Sequence, residues 1–303
     1  MKWFIVPPMN PAPSQVCENL RLHVDRLAGL IGPRVLCKPA TIDASIGYIT
    51  GHWKDMGYEV RREEFDALGD TATNLIIETP GAKRPEQIIL LGAHYDTVAS
   101  TPGADDNASA VAVMLEVSRL LQGQPGRRTM RCVAFACEEP PYFNIDSMGS
   151  QHHARQASDR QEQIVGMLCL EMVGYFCSEP HSQQIPPAIP RILRRLFPHR
   201  GDFLAAVGNL ASWKLSWSFR RGFKGGTRLP LFSICLPEVV NEIRLSDNSS
   251  FWDQGYPALM LTDTSFLRNP NYHESTDLPD TLDYDSMTQV TLGIANAVKR
   301  LLG

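Results

Sequence analysis

Apolar side chains recur at helical spacing at Val16, Leu20, Val24, Leu27 and Leu30. This predicts a helix over 14–30, capped by Ser14. Ile42–Met56 reads as a second helix. The period then shortens. Tyr58–Phe65 and Thr73–Glu78 read as strands, the first at a sheet edge, and Gln87–Ala93 as a buried strand. Ala108–Leu121 returns to a clear amphipathic helical pattern. Thr129–Ala136 and Ile164–Met172 are nearly continuous in apolar residues, as interior strands are. Asp202–Val207 and Ala258–Thr262 read as further strands, and Asp285 as the cap of a last helix reaching Leu302. Between them, Ser178–Arg200 is rich in Pro, Gln and Arg and reads as an excursion or lid over the surface. Strands alternating with helices predict a single α/β domain over residues 1–303, with a mixed, mostly parallel central sheet and helices on both faces.

Composition narrows this picture only slightly. The 303 residues and a 43% hydrophobic share suit a globular chain with a sizeable core. Its 29 basic and 33 acidic residues give a net charge of -4, a balance that suggests neither nucleic acid nor an anionic membrane as partner. No apolar run is long enough to span a bilayer. The opening MKWFIVPPMN holds too short an apolar stretch for a signal peptide, so a cytoplasmic location is expected. Seven scattered cysteines without a paired spacing fit reduced thiols better than a disulfide framework. Cys132, Cys137 and Cys169 are expected in the core.

Candidate chemistry collects where the strands end, which is where open α/β sheets carry their functional groups. Gln87–Ala93 runs into His94-Tyr95-Asp96, and Thr129–Ala136 into Cys137-Glu138-Glu139. The strand starting at Ile164 runs into Glu171, and the loop after Ala258–Thr262 contains His273. Asp105 and Asp106 open the helix of Ala108–Leu121. Each feature has a bland explanation alone: helix capping, a solvated strand end, a hydrogen-bonded histidine. Two histidines and several carboxylates at successive strand ends are harder to dismiss. They fit a divalent metal, zinc first, with other divalent ions as alternatives. Asp106, Glu139, Glu171 and one bridging hydroxide would neutralise two zinc ions. His152 and His153 point about 100° apart on a helix, so they do not grip one metal and are expected at the surface.

The motifs GAHYDT, GADDNAS, CEEPPYF, LEMVGY, SDNSSFW and YHESTDLPDTLDY resemble those of the co-catalytic zinc aminopeptidases of the bacterial leucyl aminopeptidase type. Glutamate carboxypeptidase and glutaminyl cyclase are relatives of that group. The likeness runs from about Asn74 to the C-terminus. It implies a zinc-dependent exopeptidase fold with two Zn2+ ions, one held by His94, Asp106 and Glu171 and the other by Asp106, Glu139 and His273. It makes Glu138 the general base on a metal-bridging water and Asp96 the carboxylate that orients His94. Asp105 would cap the helix or shape the turn. The sequence departs from the pattern at Ala110, where glycine is usual, and at Asn248, where many relatives carry histidine near the substrate side.

The resemblance implies hydrolysis of N-terminal peptide bonds in a peptide or aminoacyl substrate. A single-zinc glutaminyl-cyclase-like transferase is the enzymatic rival, a carboxypeptidase on the same fold another, and a binding module that has lost its ligands a third. The complete ligand set favours hydrolysis. Tyr142, Phe143 and Tyr175 are candidates for the side-chain pocket, while the basic stretch Phe219–Arg228 reads as a solvated loop.

Overall fold

A computed structural model describes residues 12–303; the N-terminal stretch MKWFIVPPMN lies outside the described residues. Helix α1 (Pro13–Val24) starts with Ala12 at its N-cap, so Ser14 lies inside the first turn rather than capping it. It runs on through a wider turn at Asp25–Ile31. Helix α2 (Pro39–Asp55) follows, then strands β1 (Arg61–Ala67), β2 (Asp70–Thr79) and β3 (Arg84–His94). Next come α3 (Ala110–Leu121), β4 (Arg128–Phe135), α4 (Gly149–Asp159), β5 (Gln163–Glu171) and a single turn, α5 (Arg191–Arg194). The last third holds β6 (Leu204–Asn209), α6 (Trp213–Gly226), β7 (Leu231–Leu236), α7 (Asn248–Trp252), β8 (Ala258–Thr262) and α8 (Tyr284–Leu302).

The strands form one eight-stranded sheet in the order β1-β2-β4-β3-β5-β8-β6-β7. β4, β3, β5 and β8 are mutually parallel, while β2 and β6 run against their inner neighbours. The sheet is therefore mixed, as the pattern predicts. Its four parallel inner strands finish at one edge: His94 pairs with Phe135, and Glu171 with Thr262. That shared edge assembles the functional groups.

The core explains the inner order. β3 buries every residue from Ile88 to His94, and β4 every residue from Thr129 onward. Helices α3 and α8 lie against one face. In α8, Met287, Val290, Ile294 and Val298 are fully buried, and truncating such a side chain to alanine costs about 2–5 kcal/mol. Asp283 rather than Asp285 caps this helix, its Oδ1 accepting from the Ser286 N–H at 3.0 Å.

Three elements differ from the sequence reading. The stretch Phe219–Arg228, expected as a loop, is mostly the second half of α6, with Phe219 and Phe223 fully buried. Gly222 lets α6 approach α8: a Cβ there would lie 2.5 Å from Ala297 Cα. α4 carries His152 and His153, both expected at the surface. His153 is instead buried, its Nδ1 2.8 Å from Glu63 Oε2 and its Nε2 3.3 Å from Arg131 Nη1. Strand β7 adds an unexpected edge beyond β6.

Candidate metal centre

His94, Asp106, Glu138, Glu139, Glu171 and His273 meet at one place, whereas Tyr95, Cys137 and the Asp105 carboxylate stand outside the donor sets. His94, at the end of β3, is completely buried. Its Nε2 lies 3.5 Å from Asp106 Oδ1 and 3.4 Å from Glu171 Oε2. On the other side of Asp106, His273 Nε2 lies 3.2 Å from Asp106 Oδ2 and 3.3 Å from Glu139 Oε2. The donors of His94, Asp106 and Glu171 fall within 4.8 Å of one another, as do those of Asp106, Glu139 and His273, so Asp106 belongs to both sets. Glu138 Oε2 sits 3.8 Å from His94 Nε2.

The chemistry of these donors fits a divalent cation. His94 Nε2, both Asp106 oxygens, Glu139 Oε1 and His273 Nε2 are buried without a hydrogen-bond partner among the described residues. Buried polar atoms of this kind are costly unless something compensates them. Like-charge crowding has the same signature. Burial, together with Glu171, Glu139 and Asp247, pushes the Glu138 carboxyl well above its ordinary range despite the opposing pull of His94. Burial and Asp106 raise Glu139 to about 8. Burial opposes a charged His273, yet Asp106 and Glu139 raise it to about 10. Positive charge is what the cluster favours.

Asp96 does more than face His94. Its backbone carbonyl lies 3.2 Å, and its Oδ1 3.5 Å, from His94 Nδ1. The same carboxylate accepts the Glu138 N–H at 3.1 Å and the Glu139 N–H at 3.0 Å. One side chain thus positions both the imidazole from β3 and the two glutamates after β4.

The GADDNAS turn is a set of anchors. Gly103 has a φ of +65°, and a Cβ there would come within 2.3 Å of Asp106 O. Asp277 receives the backbone N–H groups of Asp105 (2.9 Å) and Asp106 (3.1 Å). The Asn107 amide bonds Leu170 O and the Met172 N–H, gripping the chain on either side of Glu171. Asp105 is no helix cap. Its carboxylate receives the Gly174 N–H and Asn269 Nδ2, and burial with neighbouring Asp263 pushes its pKa well up. Ser246 Oγ donates to Glu171 Oε2 at 2.6 Å. The fully buried Arg34 donates to the carbonyls of Leu27, Gly32, Tyr95, Pro102 and Gly103, clamping the loop between His94 and Asp106. Nothing local in the sequence marks Arg34, Asp277 or Asn269, because the partners that tie them to the site lie more than sixty residues away.

Beside Asp106, Glu138, Glu139 and Glu171 opens a largely apolar cavity. Phe203, Val207, Phe232, Ile234, Leu236 and Met260, from one face of β6, β7 and β8, line its floor. Gln183–Pro186 and Phe197–Pro198 wall it, so the excursion 178–200 forms part of the cavity rather than lying idle over the surface. Tyr142, Phe143 and Tyr175 do not line it. Asp247 and Asn248 do not either; both are fully buried, and Asn248 Nδ2 donates to Ile243 O.

A mixed α/β sheet whose parallel strand ends converge on two donor sets sharing one aspartate defines a metal-dependent hydrolase. The comparisons agree. Residues 74–208 match the model of peptidase family M28. The uncharacterised protein YfbL of Escherichia coli K12 is 35% identical over 286 residues, covering 91% of this chain and 86% of that one. Among solved structures, a zinc aminopeptidase from Bacillus subtilis superposes with a TM-score of 0.71 at 15% identity, over 93% of this chain and 94% of that one. A glutaminyl cyclase from Fimbriiglobus ruber superposes with a TM-score of 0.67 at 17% identity, over 97% of each. The chain belongs to peptidase family M28, and it is a metallopeptidase.

Proposed function

We propose that the chain is an exopeptidase of the aminopeptidase type that holds two zinc ions, one on His94, Asp106 and Glu171 and one on Asp106, Glu139 and His273. The carrying observation is the pair of buried donor sets joined at Asp106, with their unpartnered oxygens and nitrogens. When bound, zinc supplies Lewis acidity that lowers the pKa of water and polarises a peptide carbonyl. Glu138 takes the proton of the attacking water and passes it to the leaving amine. Its neighbour Glu139 binds metal, and the divergence of adjacent side chains lets one strand end serve both tasks. Asp96 fixes both glutamates through their backbone N–H groups and holds His94 with Nε2 toward the metal.

The cavity supports recognition of the amino end. Its described lining includes Asp106, Glu138, Glu139, Glu171 and Glu242 but no lysine or arginine. With Asp106, Glu139 and Glu171 committed to metal, Glu138 and Glu242 remain as acids toward an α-ammonium group, while a C-terminal carboxylate finds no lysine or arginine in the described lining to hold it. The apolar floor fits a large hydrophobic side chain on the residue removed. A glutaminyl cyclase reading rests on the shared fold alone and leaves the second donor set unused. The test combines metal analysis with a substrate panel. Two zinc ions per chain and rapid hydrolysis of free but not N-acetylated leucyl substrates are expected. One zinc per chain with cyclisation of N-terminal glutamine overturns the reading, as does preference for N-blocked peptides.

A further inference from the structure

The balanced net charge conceals a strongly segregated surface. Residues 186–228 carry nine lysines and arginines against one acid, Asp202. That is a local +8 in a chain of net -4, so the remaining residues sum to -12. The same 43 residues hold six of the fourteen large apolar side chains exposed among the described residues: Ile192, Leu193, Leu196, Leu210, Trp213 and Trp217. Three of them, Leu210, Trp213 and Trp217, fall together on α6 and the turn before it, and exposed apolar groups gathered on one basic helix mark an interaction surface.

Helix α6 shows how the surface is built. Its inner face, Leu215, Phe219 and Phe223, is committed to the core. Its outer face presents Trp213, 58% exposed, and Trp217, 55% exposed, one turn apart and followed by Arg220, Arg221 and Lys224. Each indole carries its own cation: Lys214 Nζ lies 5.6 Å from the Trp213 ring centroid and Arg221 Cζ 4.6 Å from that of Trp217. Both segments flank the edge strand β7. Ser216 of α6 bonds Ser233 at 2.7 Å on one face, and Phe197, just past α5, packs on Phe232 at 5.2 Å on the other.

We propose that the outer face of α6 docks this peptidase on the surface of an anionic phospholipid bilayer; the α5 segment lies on the other face of β7 and takes no part. Indole rings favour the headgroup boundary, with an apolar body and one N–H donor. Arginine and lysine reach lipid phosphates and carboxylates from the same depth. Leu210, exposed in the turn that leads into α6, complements acyl chains beside the two indoles and has nothing to gain from a nucleic-acid backbone, which decides between the two polyanions. The attachment is peripheral, since no described helix is long and apolar enough to cross a membrane.

The test is sedimentation of the zinc-loaded full chain with vesicles of phosphatidylcholine alone or with about 30% phosphatidylserine. Each cation near such a surface is worth roughly fivefold in partitioning. The serine-lipid vesicles should therefore bind at least tenfold more tightly, and high salt should weaken them. Arg220→Gln with Arg221→Gln should weaken binding by about 25-fold. Trp213→Ala with Trp217→Ala should weaken it even at low salt. Both double variants should keep peptidase activity, which reports that they fold. Equal partitioning on the two lipids overturns the proposal, as do variants that bind like the parent. Binding of single-stranded RNA without vesicle binding overturns it in favour of a polyanion site.

Discussion

At the residue scale, Glu138 and Asp96 lie in the same pocket of charge yet act through different atoms, so their isosteric variants separate. Glu138→Gln leaves both donor sets intact and removes the group to which we assign the proton transfer. Zinc content should stay at the parent level while turnover falls by about 10²–10⁴-fold. Asp96→Asn does the reverse. Both Asp96 oxygens accept backbone N–H groups, so an amide turns a donor toward a donor and loosens the two glutamates. Zinc affinity should fall roughly 10–100-fold, with turnover restored by excess zinc. Metal titration beside kcat and KM distinguishes the two; metal loss in Glu138→Gln, or unchanged affinity in Asp96→Asn, contradicts the assignment. The seven site residues are legible in the sequence because each sits at a strand or loop end within a short motif. Their supports are not. Asp277 serves amides more than 170 residues away, and Arg34 spends all its donors on backbone carbonyls, a pairing only the folded chain defines.

At the scale of elements, legibility follows how cleanly one face is apolar. α3 and α8 read at once. α6 does not, because its exposed Trp213 and Trp217 put apolar residues on both faces and blur the period. α4 packs alanine, glycine and His153 rather than large aliphatics, and this also hides it. His153 joins α4 to the sheet. Arg131 of β4 has only donors to offer, so the His153 Nε2 must accept and its Nδ1–H must donate to Glu63 of β1. Burial pushes His153 below its ordinary pKa, which keeps the ring neutral. Burial would raise the Glu63 carboxyl, yet the hydrogen bonds from His153 and Asn74 hold it at about 2. Both groups bind protons more readily in the unfolded chain, so stability rises with pH through their range. It should be steady near neutrality, fall as pH drops below about 6.5 when the unfolded histidine charges, and fall again from about 4.5 toward 2 as Glu63 loses its advantage. Glu63→Gln should cost about 1–3 kcal/mol at pH 7 and much less at pH 3. Denaturant unfolding at the two pH values measures this, and an equal cost at both would refute the pairing.

For the whole molecule, sheet class and strand-end placement follow from the alternation of apolar runs, since a parallel core must gather its strand ends on one edge. The cavity does not follow. It needs β6, β7 and β8 to present the same face beneath the excursion, and the short apolar run Leu231–Leu236 between Pro230 and Pro237 does not reveal by its pattern which strand it pairs with. That architecture ties metal to stability. The two donor sets join β3, the turn before α3, the ends of β4 and β5 and the loop after β8. Without cations, Asp106, Glu138, Glu139 and Glu171 crowd one another at the edge where four inner strands meet. Metal bound to the folded chain alone stabilises it by mass action, by about 2.7 kcal/mol per site at a hundredfold excess over Kd. For a chain of 303 residues 1 kcal/mol moves Tm by roughly 1.5–2 °C. Chelation should therefore lower Tm by about 4–5 °C for each ion removed, and added zinc should restore it, with magnesium far less effective against imidazole donors. Calorimetry with stepwise chelation gives the measurement. A Tm indifferent to chelator would mean that these five segments hold together without metal, and the unpartnered donors would then need another occupant.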